Sequence, residues 1–301
     1  MKIIETQGDD LLAKVFIAST DDGSLIEFVE SVQPPLPRDK KWVLIVSTLK
    51  GCPINCPICD AGLKYGGKLS KGEIISQIDY LIRRRFPDGR VNIPLVKIQF
   101  ARMGDPAFNS AVLDVLKELK NIYEIPGLMP SISTVAPVNS LNFLKELKDI
   151  KDELYADGKF QMQFSVHTTC DIERRKLVPA KTLSLKDIAK QGEEFFKKGD
   201  RKITLNFALV DGYPASPSVI SDYFDPEKFI LKLTPVNPTI SSAKAGLYGA
   251  IDPDNDKSWI PLKQSFEEIG FDVIVSIGEQ RENQIGSNCG MYVSTKRVEA
   301  C

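Results

Sequence analysis

Histidine is almost missing from this chain of 301 residues: His167 is the only one. A single histidine reads as a packed or hydrogen-bonded side chain, a cofactor contact at best and not a catalyst. No run approaches the roughly 18 apolar residues that span a membrane. The N-terminal Met1-Lys2-Ile3-Ile4-Glu5-Thr6 lacks the apolar core of a signal peptide. Charge of one sign is also lacking. Lys and Arg number 39 against 40 Asp and Glu, a net charge of −1. That balance offers no global attraction for nucleic acid. The local basic stretches Arg83-Arg84-Arg85, Arg174-Arg175-Lys176 and Lys197-Lys198 read as solvated helix faces or ends. No Walker A or Rossmann glycine signature occurs. Gly66-Gly67-Lys68-Leu69-Ser70 has the wrong spacing and reads as loop plus helix start. No internal repeat or low-complexity segment stands out. Six cysteines, three of them in one loop, do not make a secreted disulfide framework in a chain this long. The expectation is a cytoplasmic protein with no membrane and no DNA partner.

What is present is an ordinary globular composition, 43% hydrophobic and 26% charged. Residues 1–40 read as a β-hairpin lead-in. Lys14-Val15-Phe16-Ile17 and Leu25-Ile26-Glu27-Phe28-Val29 flank the turn signal Asp21-Asp22-Gly23-Ser24, and Pro34-Pro35-Leu36-Pro37 marks a boundary. From residue 41 to 301 strand-like and helical runs alternate. The strands are expected at 42–48, 95–101, 129–135, 160–167, 202–210, 229–235 and 272–277. Helices are expected at about 70–86, 109–123, 139–155, 183–199 and 257–269, with Ser70, Asn109 and Ser184 as candidate N-caps. In the third helix Leu141, Leu144, Leu147 and Ile150 recur near helical spacing. The alternation implies an α/β fold with a parallel sheet, a partial (β/α)6 barrel with chemistry at the C-terminal strand ends.

Directly after the first of these strands comes Gly51-Cys52-Pro53-Ile54-Asn55-Cys56-Pro57-Ile58-Cys59-Asp60, with cysteines spaced C-x3-C-x2-C. Thiolates suit iron–sulfur clusters and zinc. A closed zinc site needs a fourth Cys or His nearby, and none is there. Three thiolates can hold three corners of a four-iron cluster and leave the fourth iron open. Three buried or redox-labile thiols are the plainer alternative. This loop resembles that of the radical S-adenosylmethionine (SAM) enzymes. In them the open iron chelates SAM, and one electron cleaves it to a 5′-deoxyadenosyl radical.

The other strand ends carry Ala101-Arg102-Met103-Gly104-Asp105-Pro106, Ser131-Ile132-Ser133-Thr134, Ser165-Val166-His167-Thr168-Thr169, Asp211-Gly212 and Pro235-Val236-Asn237-Pro238. Gly286-Ser287-Asn288-Cys289-Gly290-Met291 follows the last strand. Glycine permits close backbone approach to a ligand, and the Asp105 carboxylate can accept from an ammonium. Each loop alone reads as an ordinary turn. In this order, with Val46-Ser47 before the cysteines and Glu173-Arg174-Arg175-Lys176-Leu177-Val178-Pro179 after His167, they resemble the RlmN/Cfr family of radical SAM enzymes. That family methylates an adenine in RNA.

The resemblance runs from about Lys14 to Met291, and what it implies is specific. Cys52, Cys56 and Cys59 would bind a 4Fe–4S cluster. Gly104 and Asp105 would meet the SAM amino group, with Ser133, Ser165, His167 and Asn237 holding the rest of SAM. Cys289 would carry a methyl group, and Glu27 would accept a proton. The alternative for Glu27 is an exposed position on a hairpin strand; for Cys289 it is a small buried side chain. A flavodoxin- or ferredoxin-type donor would supply electrons.

The chain also departs from the pattern. Ile45 stands where the family has a thiol that resolves the covalent substrate adduct. Ile58 replaces an aromatic residue, and Asp105 replaces a Glu. The helical RNA-binding domain that usually precedes the barrel is not expected within this chain. Two readings follow: a divergent methyltransferase, with Cys170 or Cys301 as substitute thiol or none needed, or other radical chemistry on a small molecule, peptide or nucleotide. A non-enzymatic iron–sulfur or zinc module is a remote third, since it leaves the SAM-like loops unexplained.

Overall fold

The computed structural model describes residues 1–32 and 34–278, together with Ile285 and Val293. One sheet runs through them in sequence order. It begins with three antiparallel strands, β1 (Lys2–Gly8), β2 (Ala13–Ser19) and β3 (Leu25–Ser31). β3 pairs antiparallel with β4 (Lys41–Val46), after which all pairing is parallel. The parallel strands continue as β5 (Leu95–Phe100), β6 (Leu128–Thr134), β7 (Gln161–Ser165), β8 (Ile203–Ala208), β9 (Phe229–Thr234) and β10 (Val273–Val275). Val43 of β4 and Ile274 of β10 line the same cavity, so the sheet curls around it as a partial barrel. The α/β expectation and all seven parallel strands are met. The lead-in holds three strands instead of two, because β1 alternates exposed and half-buried residues and carries little apolar signal.

The expected helices form as α1 (Lys71–Arg85), α2 (Ala111–Ile122), α3 (Leu141–Leu154), α5 (Leu185–Phe195) and α8 (Ile260–Glu268). Three short ones were not anticipated: α4 (Asp171–Leu177), α6 (Pro217–Tyr223) and α7 (Ile240–Ala245). Helices of two turns are too short to show a period. Ser70 and Ser184 cap as expected, Ser70 in a reciprocal capping box with Glu73. Asn109 does not. Ser110 is the N-cap of α2, and the Asn109 amide instead donates to the carbonyls of Thr48 and Leu69. In α3, Leu144, Leu147 and Ile150 are buried but Leu141 is 46% exposed. A strict spacing of three drifts about 60° per step on a helix of 3.6 residues per turn, which puts Leu141 opposite Ile150. Phe143 packs in its place.

The core lies between the sheet and its helices. It is continuous from the antiparallel strands to β9 and includes Phe16 and Phe28, whose rings meet Tyr80 of α1 edge-on. The lead-in thus shares one core with the barrel. Arg84 and Arg85, expected to be solvated, pair with Asp10 and Glu30 and hold α1 to the antiparallel strands. Among the described residues no helix is long and apolar enough to cross a membrane.

Candidate active site

The cysteine loop is built jointly with the Met-Gly-Asp-Pro loop after β5. The backbone N–H groups of Thr48 and Leu49 both donate to the Met103 carbonyl. Ser47 Oγ accepts from Met103 N–H at 3.1 Å and donates to the Glu27 carbonyl at 2.5 Å. Gly104 has φ +89°, and a Cβ there would lie 2.4 Å from the Leu49 side chain, so only glycine fits against the cysteine loop. Asp60, directly after Cys59, is fully buried and accepts from the N–H groups of Ile240 and Ser241 and from Ser241 Oγ. It ties the cysteines to α7, beyond the far strand. The Asp60 contact was invisible in sequence because it joins residues 180 positions apart.

Cys52, Cys56 and Cys59 line a cavity of about 660 Å³ inside the curled sheet. So do Gly104, Asp105 and Ser133, and equally Ser165, His167 and Asn237. Five separate stretches of chain therefore bring their expected ligand residues to one space. Cys289 and Cys301 lie outside the described residues. Ile45 lines the cavity wall, so the position expected to bear a thiol faces the site and is apolar. Cys170, at the N-cap of α4, is not in the lining.

Glu27 is not on an exposed face. Both sides of β3 are covered, and the carboxylate is fully buried, 2.8 Å from Arg102 Nε, and accepts from Val293 N–H at 3.3 Å. Arg102 lines the cavity and Glu27 lies behind it. The Asp105 carboxylate is more heavily engaged than a simple ammonium acceptor. Oδ1 accepts from Ala107 N–H and Thr134 Oγ1, and Oδ2 from Val135 N–H and Thr134 Oγ1. Burial raises it to about 6 although these bonds pull the other way. Asp105 thus joins the ends of β5 and β6 whatever else it binds.

His167 sits at φ +68°, and its Nδ1 accepts from Ala208 N–H at 3.1 Å. Burial and the nearby Arg174 push its pKa down to about 3, so the ring is neutral with its proton on Nε2. Arg174 corrects the expectation of a solvated basic stretch. It is 1% exposed, and its five N–H groups go to the carbonyls of Val166, Leu183, Val135 and Ser165 and to Thr182 Oγ1. It knots the ends of β6 and β7 together, and burial lowers it to about 10. The following Leu177 and Val178 pack with Ile54, Cys52 and Cys56.

Two features bear on the implied cofactors. Ser133 Oγ is buried without a hydrogen-bond partner among the described residues, in a lining position where a polar ligand would satisfy it. None of Cys52, Cys56 and Cys59 is in a disulfide. Among the described residues no three His, Cys, Asp or Glu side chains converge as a single-ion site. A four-iron cluster takes one thiolate per iron, so three free thiols lining one cavity supply a donor set that fits it. Burial pushes the Cys52 and Cys56 thiols up; metal coordination favours the thiolate instead.

No family model matches the chain. It is 26% identical over 273 residues to a probable dual-specificity RNA methyltransferase RlmN of Flavobacterium johnsoniae, covering 88% of this chain and 72% of that protein. A protein of the same name from Endomicrobium trichonymphae is 31% identical over 193 residues, 59% of this chain and 48% of that protein, so the match spans about half that relative's length. A radical SAM methyltransferase from Sphaerobacter thermophilus has the same fold, with a TM-score of 0.74 at 21% identity over 96% of this chain and 80% of that one. The chain is RlmN-like in sequence and has the fold of a radical SAM methyltransferase.

Proposed function

We propose that the chain is a radical SAM methyltransferase whose SAM-binding residues lie at the strand ends and whose acceptor enters the lumen below them. The observation carrying this reading is the convergence of residues from five stretches of chain on one cavity. The names of the curated relatives support methyl transfer as the reaction and an RNA nucleotide as one acceptor. Cys52, Cys56 and Cys59 would hold a 4Fe–4S cluster through their thiolates. When bound, the cluster supplies the electron, drawn from a flavodoxin- or ferredoxin-type donor, that cleaves SAM to a 5′-deoxyadenosyl radical.

The chain's own side chains do the rest. Gly104 lets the backbone approach the amino end of SAM, with Asp105 shaping that loop and adding its negative charge. Ser133, Ser165 and Asn237 offer hydrogen-bonding groups, and neutral His167 can donate from Nε2. Cys289 carries the methyl group in transit. Glu27, paired with Arg102 of the cavity lining, accepts the proton.

Anaerobically reconstituted protein should then bind about four irons and form 5′-deoxyadenosine from SAM under a strong reductant. The peptide containing Asn288-Cys289-Gly290 should gain one methyl by mass spectrometry. Failure to cleave SAM would overturn the radical reading. An unmethylated Cys289, with Cys289→Ala turning over normally, would overturn the carrier. Ile45 favours a second reading in that event. With an apolar side chain where a resolving thiol is expected and Cys170 outside the lining, thiol exchange lacks a partner among the described residues. Radical chemistry without a covalent adduct needs none.

A further inference from the structure

The sheet's inward face is polar far below the SAM-binding residues. Lys97 of β5 and Lys232 of β9 both line the cavity, and the Lys232 charge acts on Lys97. Gln99, Gln163 and Asn206 form the wall around them. Among the described residues neither ammonium has an ion pair or a hydrogen bond. The charged groups that act on Lys97 are Lys232, Lys41 and Arg201, all cations. Asp105, the carboxylate in the described lining, is spent on Ala107, Thr134 and Val135 at the mouth. Two half-buried ammonium groups in one lumen, without a counter-charge among the described residues, are an unfavourable arrangement. In closed (β/α)8 barrels the interior is instead filled with branched apolar side chains.

We propose that Lys97 and Lys232 bind the anionic group, a phosphate or carboxylate, of a small-molecule acceptor that enters the lumen anion first. The inference rests on the reading that the chemistry occurs at the strand ends. Lys97 lies three residues below the end of β5, roughly 10 Å at the rise of a strand. The acceptor is then a molecule whose reacting atom lies about that far from its anion, with a hydrogen-bonding body against Gln99, Gln163 and Asn206. A nucleotide inside an RNA strand, the acceptor that the relatives' names support, would use the same lumen without employing this lysine pair. Its phosphates bridge to neighbours and stay at the mouth, so its neutral base would lead and leave both ammoniums bare. Burial and the like charges around it hold Lys97 down to about 7, and an anion would reverse that.

The test is calorimetric titration of the full-length, anaerobically reconstituted protein with inorganic phosphate and, separately, succinate. A short oligoribonucleotide forms a third arm. Lys97→Gln and Lys232→Gln should each weaken the preferred anion by roughly 10- to 100-fold, as for loss of a hydrogen bond to a charged group. Lys97→Arg should retain most of the affinity, which guards against misfolding as the cause. Tighter phosphate supports a phosphorylated acceptor, and tighter succinate a carboxylic one. Equal anion binding by parent and the double Gln variant, or no anion binding by the parent, overturns the proposal. So does oligoribonucleotide binding that is tighter than either anion and indifferent to both lysines. SAM titrated into the parent is a separate readout: if SAM fails to bind while the anion does, the cofactor reading fails and the lysine site stands.

Discussion

Alternate residues of the same strands live in opposite environments. Toward the helices, Leu44, Ile98, Phe100, Ile132, Phe207 and Leu231 are fully buried in one apolar core. One residue away, Lys97, Gln99, Ser133, Gln163, Asn206 and Lys232 face an open lumen. Strand side chains alternate with period 2, so one backbone serves both faces without compromise. The helix side carries stability. The lumen side gives up packing and holds polar side chains, Lys97, Lys232 and Ser133 among them, that have no hydrogen-bond partner among the described residues.

The sharpest contrast is functional. Cys56→Ala should abolish iron-dependent SAM cleavage altogether, while the metal-free protein should melt close to the parent. A large drop in melting temperature would show that the lumen side also carries the fold. On the other face, Phe207→Ala should destabilise by about 3–5 kcal/mol, the range for emptying an aromatic core site. Its lumen neighbour Asn206→Ala should change stability by less than about 1 kcal/mol. Urea denaturation compares the two, and equal losses would erase the distinction.

Arg174 cuts across the division, because it is polar yet supports the fold. Arg174→Met leaves four backbone carbonyls without donors and should cost about 3 kcal/mol. Arg174→Lys should recover little, since three donors on a point charge cannot replace a planar fork. Asp60→Ala removes the tie from the cysteine loop to α7. It should cost about 1–2 kcal/mol and speed iron loss, as followed by iron release to a chelator.

The smallest effect has the opposite sign. Lys97 is lowered to about 7 from an ordinary 10.5. Between those values the unfolded chain binds the extra proton, so stability rises with pH through that window. The penalty is full below about 7 and gone above 10.5. Lys97→Met should therefore raise the melting temperature at pH 7, and the gain should shrink by pH 9. Burial lowers Lys232 and Lys41 as well, so part of the like charge acting on Lys97 fades as pH rises, in the same direction. A gain that grew with pH would contradict the like-charge environment.

The parallel strands and five longer helices were legible because period and length are local signals. The cysteine spacing was legible because three thiols on one short loop have few structural uses. Leu141 misled because spacing of three imitates a helical stripe without following it. Arg174 and Glu27 misled in a different way. Burial of a charge depends on distant partners, here Ser165, Val135 and Leu183 for one and Arg102 for the other.

Residue order alone determined which segments became strands and which carried sulfur, because those choices rest on side-chain periodicity and ligand chemistry. Only the tertiary structure decided that Gly104, Asp105, Ser133, Ser165, His167 and Asn237 share one cavity with the cysteines. It also decided that Lys97 and Lys232, 135 positions apart in the chain, share one lumen with no ion pair among the described residues. Curling the sheet brings the inward residues of β5 and β9 across a single lumen, and no local pattern encodes which inward residues will meet.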